Sequence, residues 1–127
     1  MKKITLPFIH YIRRKTKKDK RILVWLNWYR NAHYIESNNV KHYYHQLIKE
    51  QVGDVKLEQI KLEYKIYLHK KNIDYMNIRS IMEKFFLDWL VVNWNLKDDN
   101  FLYVKGDKCE VFYEKENPRI EIFIYLI

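Results

Sequence analysis

The chain has 127 residues, room for one hydrophobic core and one domain spanning 1–127. Apolar residues make up 48% and glycine and proline number two each, a composition that excludes a disordered or low-complexity chain. Twenty-four Lys and Arg against sixteen acids leave a net charge of +8, which points to an anionic partner, nucleic acid foremost, or else to a domain that is merely basic.

One cysteine, Cys109, excludes an intrachain disulfide and a cysteine-built zinc site; its strand-like surroundings suit a small buried hydrophobe. The five histidines show no zinc-type spacing: His42 and His45 stand three apart on an expected helix with no third ligand. The N-terminus lacks the apolar run of a secretory signal, and no segment nears the ~20 apolar residues that span a bilayer. The expectation is a cytoplasmic protein without a membrane partner.

In chain order, "KKITLPFIHYI" is apolar and suited to a strand. "RRKTKKDKR", Arg13 to Arg21, packs seven cations into nine residues. It is either a solvated turn or a loop that contacts phosphates through Arg13, Arg14, Lys15, Lys17 and Lys18. "ILVWLN", Ile22 to Asn27, predicts a buried strand, and "NWYRNAHYIESNN" a polar-aromatic loop that includes Arg30. Ser37 or Asn38 is placed to cap a helix whose inner face carries Val40, Tyr43, Tyr44, Leu47 and Ile48, ending at Gly53. "IKLEYKIYLH" alternates: Ile60, Leu62, Tyr64, Ile66 and Leu68 fall on one face of a half-buried strand. A second helix is predicted over roughly Asn77 to Val92. A hairpin turning at Gly106-Asp107 and a last strand bearing Ile120, Ile122, Ile124 and Leu126 complete the chain. The order β, β, α, β, α, β, β, β is that of a mixed α/β domain with two main helices.

At ~100° per residue, Ile78, Met82, Phe85 and Trp89 form the inner sector of the second helix. Asn77, Lys84 and Asp88 gather on its flank within ~40°. Lys84 and Asp88, four apart, make either a surface ion pair or a cation and a carboxylate facing a site at the edge of the core. Asp74 precedes the helix, and Asp98 and Asp99 follow it. Acids brought together repel, and a divalent cation relieves that repulsion. Mg2+ takes oxygen ligands from one or two carboxylates and leaves positions for water and phosphate, which is the chemistry of phosphodiester hydrolysis. Two adjacent aspartates between a helix and a strand are otherwise a turn.

From Asp74 onward the chain resembles the RusA-like family of Holliday junction resolvases, found mainly in phages and prophages. Its pattern is an Asp-x-Asp-Asn opening, a helix with Lys-x-x-x-Asp, and an Asp-Asp pair opening a strand. Here "DYMN" (Asp74 to Asn77), "KFFLD" (Lys84 to Asp88) and "DD" (Asp98, Asp99) stand in that order, and "NPRIEIFI" resembles the family's last strand. "LNWYRNAH" (Leu26 to His33) is similar to a polar loop near the family's N-terminus. Met76 stands where the family has its second Asp, and the interval from Asn77 to Lys84 is longer by about one helical turn. Glu83 is either the replacement carboxylate or an exposed helix residue ~100° round from Lys84.

The resemblance implies a mixed α/β fold, a homodimer, and cleavage of four-way DNA junctions with Mg2+, or alternatively Mn2+, as cofactor. Carried over by position, Asp74 and Asp99 would be metal-binding catalytic acids, Lys84 would assist at the scissile phosphate, and Asp88 and Asp98 would complete the metal site. Two other readings remain open: a branched-DNA-binding protein that does not cut, and a small phage protein that binds a protein partner through its aromatic surface.

Overall fold

A computed structural model describes the chain except for Phe101 and the side chain of Asp107. The elements are β1 (Lys2–Pro7), β2 (Ile9–Ile12), β3 (Lys20–Leu23), α1 (Leu26–Asn31), α2 (Tyr34–Val52), β4 (Ile60–Leu68), α3 (Tyr75–Val92), β5 (Val104–Tyr113) and β6 (Arg119–Leu126). The result is a mixed α+β domain. Its main sheet has the order β1-β6-β4-β5, and β2 and β3 form a separate two-stranded ribbon. Within the main sheet β4 and β5 run parallel, while β6 is antiparallel to both β1 and β4.

The alternation of β4 sets the layers. Ile60, Leu62, Tyr64, Ile66 and Leu68 are all buried on one face. Register carries that face across the sheet: Leu62 pairs with Ile124, Tyr64 with Ile122 and Ile66 with Ile120, and on the far side Ile4 pairs with Ile122 and Leu6 with Ile120. Helix α3 covers this face with Ile78, Ile81, Met82, Phe85, Phe86, Leu87, Trp89 and Leu90, and α2 packs beside it with Val40, Tyr44, Ile48 and Val52. The Tyr44 ring lies 5.6 Å from Phe85, and its hydroxyl donates to the carbonyl of Pro7, locking β1 to the helices. On the opposite face the Arg119 guanidinium sits 3.8 Å over Tyr67, which stacks on Phe112 at 5.1 Å. No helix is long and apolar enough to cross a membrane among the described residues.

Several sequence expectations are corrected. The residues around Gly106 form no hairpin: β5 runs through them as one strand. Gly106, at φ 62, supplies the extra residue of a bulge opposite Lys61 and Leu62. Its positive φ serves the bulge instead of a turn. The stretch after β3 is helical, because α2 begins at Tyr34. His33 is its cap, Nδ1 accepting from the Ile35 amide at 3.2 Å; Ser37 and Asn38 lie inside the helix. The strand expected over Ile22 to Asn27 is β3 at Lys20–Leu23, with Leu26 already in α1. On α2, Tyr43 is exposed and Leu47 half-buried, since the helix contacts the sheet along a narrower stripe than the five positions suggested. Leu126, at the end of β6, is 71% exposed.

After α3 the chain must reverse to enter β5 beside β4. Trp94 takes a positive φ of 62, and Asn95, 2% exposed, anchors the reversal. Its amide nitrogen donates to the carbonyls of Gly53 at 2.9 Å and Val55 at 2.6 Å, and its oxygen accepts from Asn93 at 2.7 Å. Asn95→Ala removes three bonds, each worth about 1 kcal/mol net, and strands two carbonyls. A loss of about 2–4 kcal/mol is expected, read as a lower urea midpoint at unchanged slope; a loss under ~0.5 kcal/mol would mean water replaces the anchor.

Candidate functional site

Helix α3 carries two polar rows. Arg79 and Glu83 lie on the sheet side, above β4. Glu83 Oε2 accepts from the Tyr64 hydroxyl at 2.5 Å and from Arg79 Nη2 at 3.3 Å, and the Arg79 guanidinium rests 4.5 Å over the Tyr64 ring. Lys84 and Asp88 form the second row, paired at 3.0 Å, with Lys41 of α2 reaching Asp88 at 4.0 Å.

The return of the chain toward β5 brings Asp99 to this helix. Asp99 lines an open cavity of about 300 Å3 together with Glu83, Leu87, Tyr64, Leu62 and Val104. Glu83 and Asp99, sixteen residues apart in sequence, therefore address one space. Partial burial raises the pKa of Asp99, helped by its neighbour Asp98 and by the charge of Asp88. The Lys84 ammonium is stabilised, chiefly by its bond to Asp88 and in smaller part by Asp88's charge, Tyr29 and Asp99. Lys84, Asp88 and Asp99 thus share one electrostatic neighbourhood.

The other expected acids lie elsewhere or serve the backbone. Asp74 is the N-cap of α3: it accepts from the Met76 amide at 3.1 Å and from Asn77 Nδ2 at 3.2 Å. Fourteen residues of helix separate it from Asp88, ~21 Å at 1.5 Å per residue. Asp98 folds its own turn, accepting from the Asp99 amide at 2.7 Å and from Asn100 Nδ2 at 3.1 Å. Among the described residues, no group of three or more His, Cys, Asp or Glu is placed to hold a metal ion. The set Asp74, Asp88, Asp98 and Asp99 does not fit one metal centre here. The pair Glu83 and Asp99 does match the one or two carboxylates that Mg2+ uses.

The cations of Arg13, Arg14, Lys15, Lys17 and Lys18 occupy the exposed tip of the β2–β3 ribbon, where Ile12 pairs with Lys20 and residues 13–19 form the loop. Arg14 Nε donates to the Lys18 carbonyl at 2.8 Å, which shapes the loop while the other side chains stay in solvent. The ribbon continues through β3 into α1. That helix packs on α3, with the Tyr29 ring 6.1 Å from Phe85, so exposed Arg30 stands on the helix that borders Lys84.

Sequence reasoning missed Tyr64 and Arg79. Tyr64 read as a core residue, and its hydroxyl is what holds Glu83. Arg79 and Glu83 stand at i, i+4 spacing, a signal legible in the sequence. No family model matches the chain, and no curated protein does.

Asp99 gives a pH test. Its folded pKa lies above the ordinary 3.8. Its contribution to stability is therefore full below 3.8 and is lost as pH rises through the folded value. Asp99→Asn should raise the thermal midpoint at pH 7, and the gain should vanish below pH 3.8. A midpoint below wild type at pH 7 would contradict the electrostatic picture of this cavity.

Proposed function

We propose that this chain is a structure-selective endonuclease that cleaves four-way DNA junctions as a homodimer, in the cytoplasm of a phage-infected or prophage-bearing cell. The observation that carries the reading is the pairing of Glu83 and Asp99 on one cavity, beside the Lys84–Asp88 pair. The order Asp74, Asn77, Lys84, Asp88, Asp98, Asp99, which resembles the resolvase pattern, supports it, as does a basic ribbon continuous with the helix that borders the site.

Each residue has a distinct part. Glu83 and Asp99 would hold Mg2+ or Mn2+, which supplies Lewis-acid activation of water and phosphate when bound. Tyr64 and Arg79 fix the rotamer of Glu83. Lys84, kept protonated by Asp88, offers a cation to a phosphate oxygen. Asp74 and Asp98 act indirectly, by starting α3 and by shaping the turn that presents Asp99. Arg13, Arg14, Lys15, Lys17, Lys18 and Arg30 contact the DNA backbone, and the two-stranded ribbon has the width of a major-groove element. Glu83 thus takes the place of the carboxylate that Met76 lacks.

Incubation of a labelled four-way junction with protein and Mg2+, beside linear duplex, tests the reading. Symmetric nicks confined to the junction are expected. Asp99→Asn and Glu83→Gln should each cut at least ~100-fold more slowly while binding junctions as tightly as wild type or more so, because a charge that repels phosphate is removed. Junction binding without cleavage in either metal would replace this reading with a binding protein, which the capping role of Asp74 favours.

Binding should also weaken steeply with salt. Neutralising Arg13, Arg14, Lys15, Lys17 and Lys18 together should lower the slope of log K against log salt by up to ~4.5, about 0.9 per phosphate contact on duplex arms. An unchanged slope would return the loop to a solvated turn.

A further inference from the structure

Another cavity, of about 510 Å3, lies between β2 and the start of α2 and shares no lining residue with the one that Glu83 and Asp99 address. Its volume is that of a small-molecule site, ~300–1,000 Å3. The β2 wall is aromatic. His10 lines it with its ring 4.5 Å from Tyr43 and 6.3 Å from Tyr44, contacts that hold the imidazole in place. Tyr11 on β2, 58% exposed, and Ile35 on α2, 52% exposed, add apolar surface left to solvent. The polar groups are few and unequal. Glu36 is already engaged: Oε1 accepts from Lys20 at 2.8 Å and Oε2 from Trp28 Nε1 at 2.9 Å. The bond to Lys20 first, and that to Trp28 in smaller part, lower its pKa, so this part of the wall stays anionic. Exposed Asn39 brings an amide with both donors and an acceptor. Arg13 lines the mouth and opens the exposed loop that carries Arg14, Lys15, Lys17 and Lys18.

We infer that this cavity takes an unpaired base of a DNA strand: the base enters among His10, Tyr11 and Ile35, its edge bonds the Asn39 amide, and its phosphate stays at the mouth on Arg13. The division of chemistry selects the occupant. An uncharged ligand leaves Arg13 and the basic loop unused. A phosphate alone meets the Glu36 carboxylate inside, and Arg13 is the one Lys or Arg among the lining residues. A nucleotide carries a flat ring, a hydrogen-bonding edge and a phosphate in that order, and stacking on aromatic side chains accepts any base. A base within duplex is covered by its neighbours and must leave the stack to enter a concave site, which costs least where it is already unpaired. The cavity thus reads an interruption in a duplex beside the loop that holds the backbone.

The inference rests on the DNA binding proposed above and does not use the cleavage chemistry. Binding is measured in EDTA, so that no strand is cut, with three DNAs of one sequence: a duplex with a single unpaired adenine, the same duplex with that adenine paired, and the same duplex with an unpaired abasic residue in its place. The abasic DNA keeps the kink of a bulge without the base. The unpaired adenine should be bound about tenfold tighter than either of the others, the size of one base stacked on an aromatic side chain. Tyr11→Ala/Asn39→Ala should bring the bulged DNA down to the affinity of the paired duplex, whose own binding stays as in wild type. Both side chains are exposed and alanine suits a helix better than asparagine, so the circular dichroism spectrum should be unchanged. Equal affinity for the three DNAs, or a preference that survives the double variant, would overturn the inference and leave the DNA reading standing. Failure to bind any of the three would overturn both. Adenosine monophosphate bound as tightly as the bulged strand would overturn the strand as occupant in favour of a free nucleotide.

Discussion

Parallel pairing of β4 with β5 is the constraint on which the rest of the molecule depends. Two adjacent parallel strands cannot be joined by a turn; the chain must leave one end of the sheet and come back to the other. Here α3 makes the crossing, and its apolar sector covers the sheet because that path runs over the face where Leu62, Tyr64 and Ile66 project. The return leg runs back toward the start of β4, and Asn95 ties it to the segment that leaves α2. Asp99 meets Glu83 because of this return. Two carboxylates remote in sequence converge through topology, with no local motif to announce them.

Charge balance on α3 separates structural acids from the candidate site. Asp74 is satisfied by the first turn of the helix, Asp98 by its own turn, and Asp88 by Lys84 and Lys41. Glu83 is held by a phenol and a guanidinium, groups that steer a carboxylate as well as stabilise it. Asp99 differs, because partial burial and its acidic neighbours Asp98 and Asp88 push its pKa up. A raised carboxylate pKa beside a second carboxylate on one open cavity is the kind of perturbation that gathers at functional sites.

The regular parts of the fold were legible. The period-two pattern of Ile60 to Leu68 and the Ile78, Met82, Phe85, Trp89 sector gave β4 and the inner face of α3, since burial follows periodicity directly. The glycine at 106 misled, because a positive φ serves a bulge as readily as a turn. The aromatic, asparagine-rich stretch before Val40 hid two helix starts, for α1 is stabilised by packing Tyr29 on Phe85 and not by propensity or a side-chain cap. In the site, the Lys84–Asp88 pair was readable from spacing. Asp74 and Asp99 read as partners because both flank one helix, whereas a helix of eighteen residues holds its ends far apart. Glu83 stood open between a replacement carboxylate and an exposed helix residue, ~100° round from Lys84; that angle turns it toward Tyr64 and the cavity that Asp99 also lines.

Metal binding in four variants tests the central claim most directly. Electron paramagnetic resonance of Mn2+ titrated into wild type, Asp99→Asn, Glu83→Gln and Asp74→Asn reads occupancy without DNA or turnover. Asn caps helices nearly as well as Asp, so the last variant keeps its fold. Binding by wild type and Asp74→Asn, with loss in Asp99→Asn and Glu83→Gln, is the result predicted. Loss in Asp74→Asn with retention in Glu83→Gln would contradict it and move the site to the other end of α3.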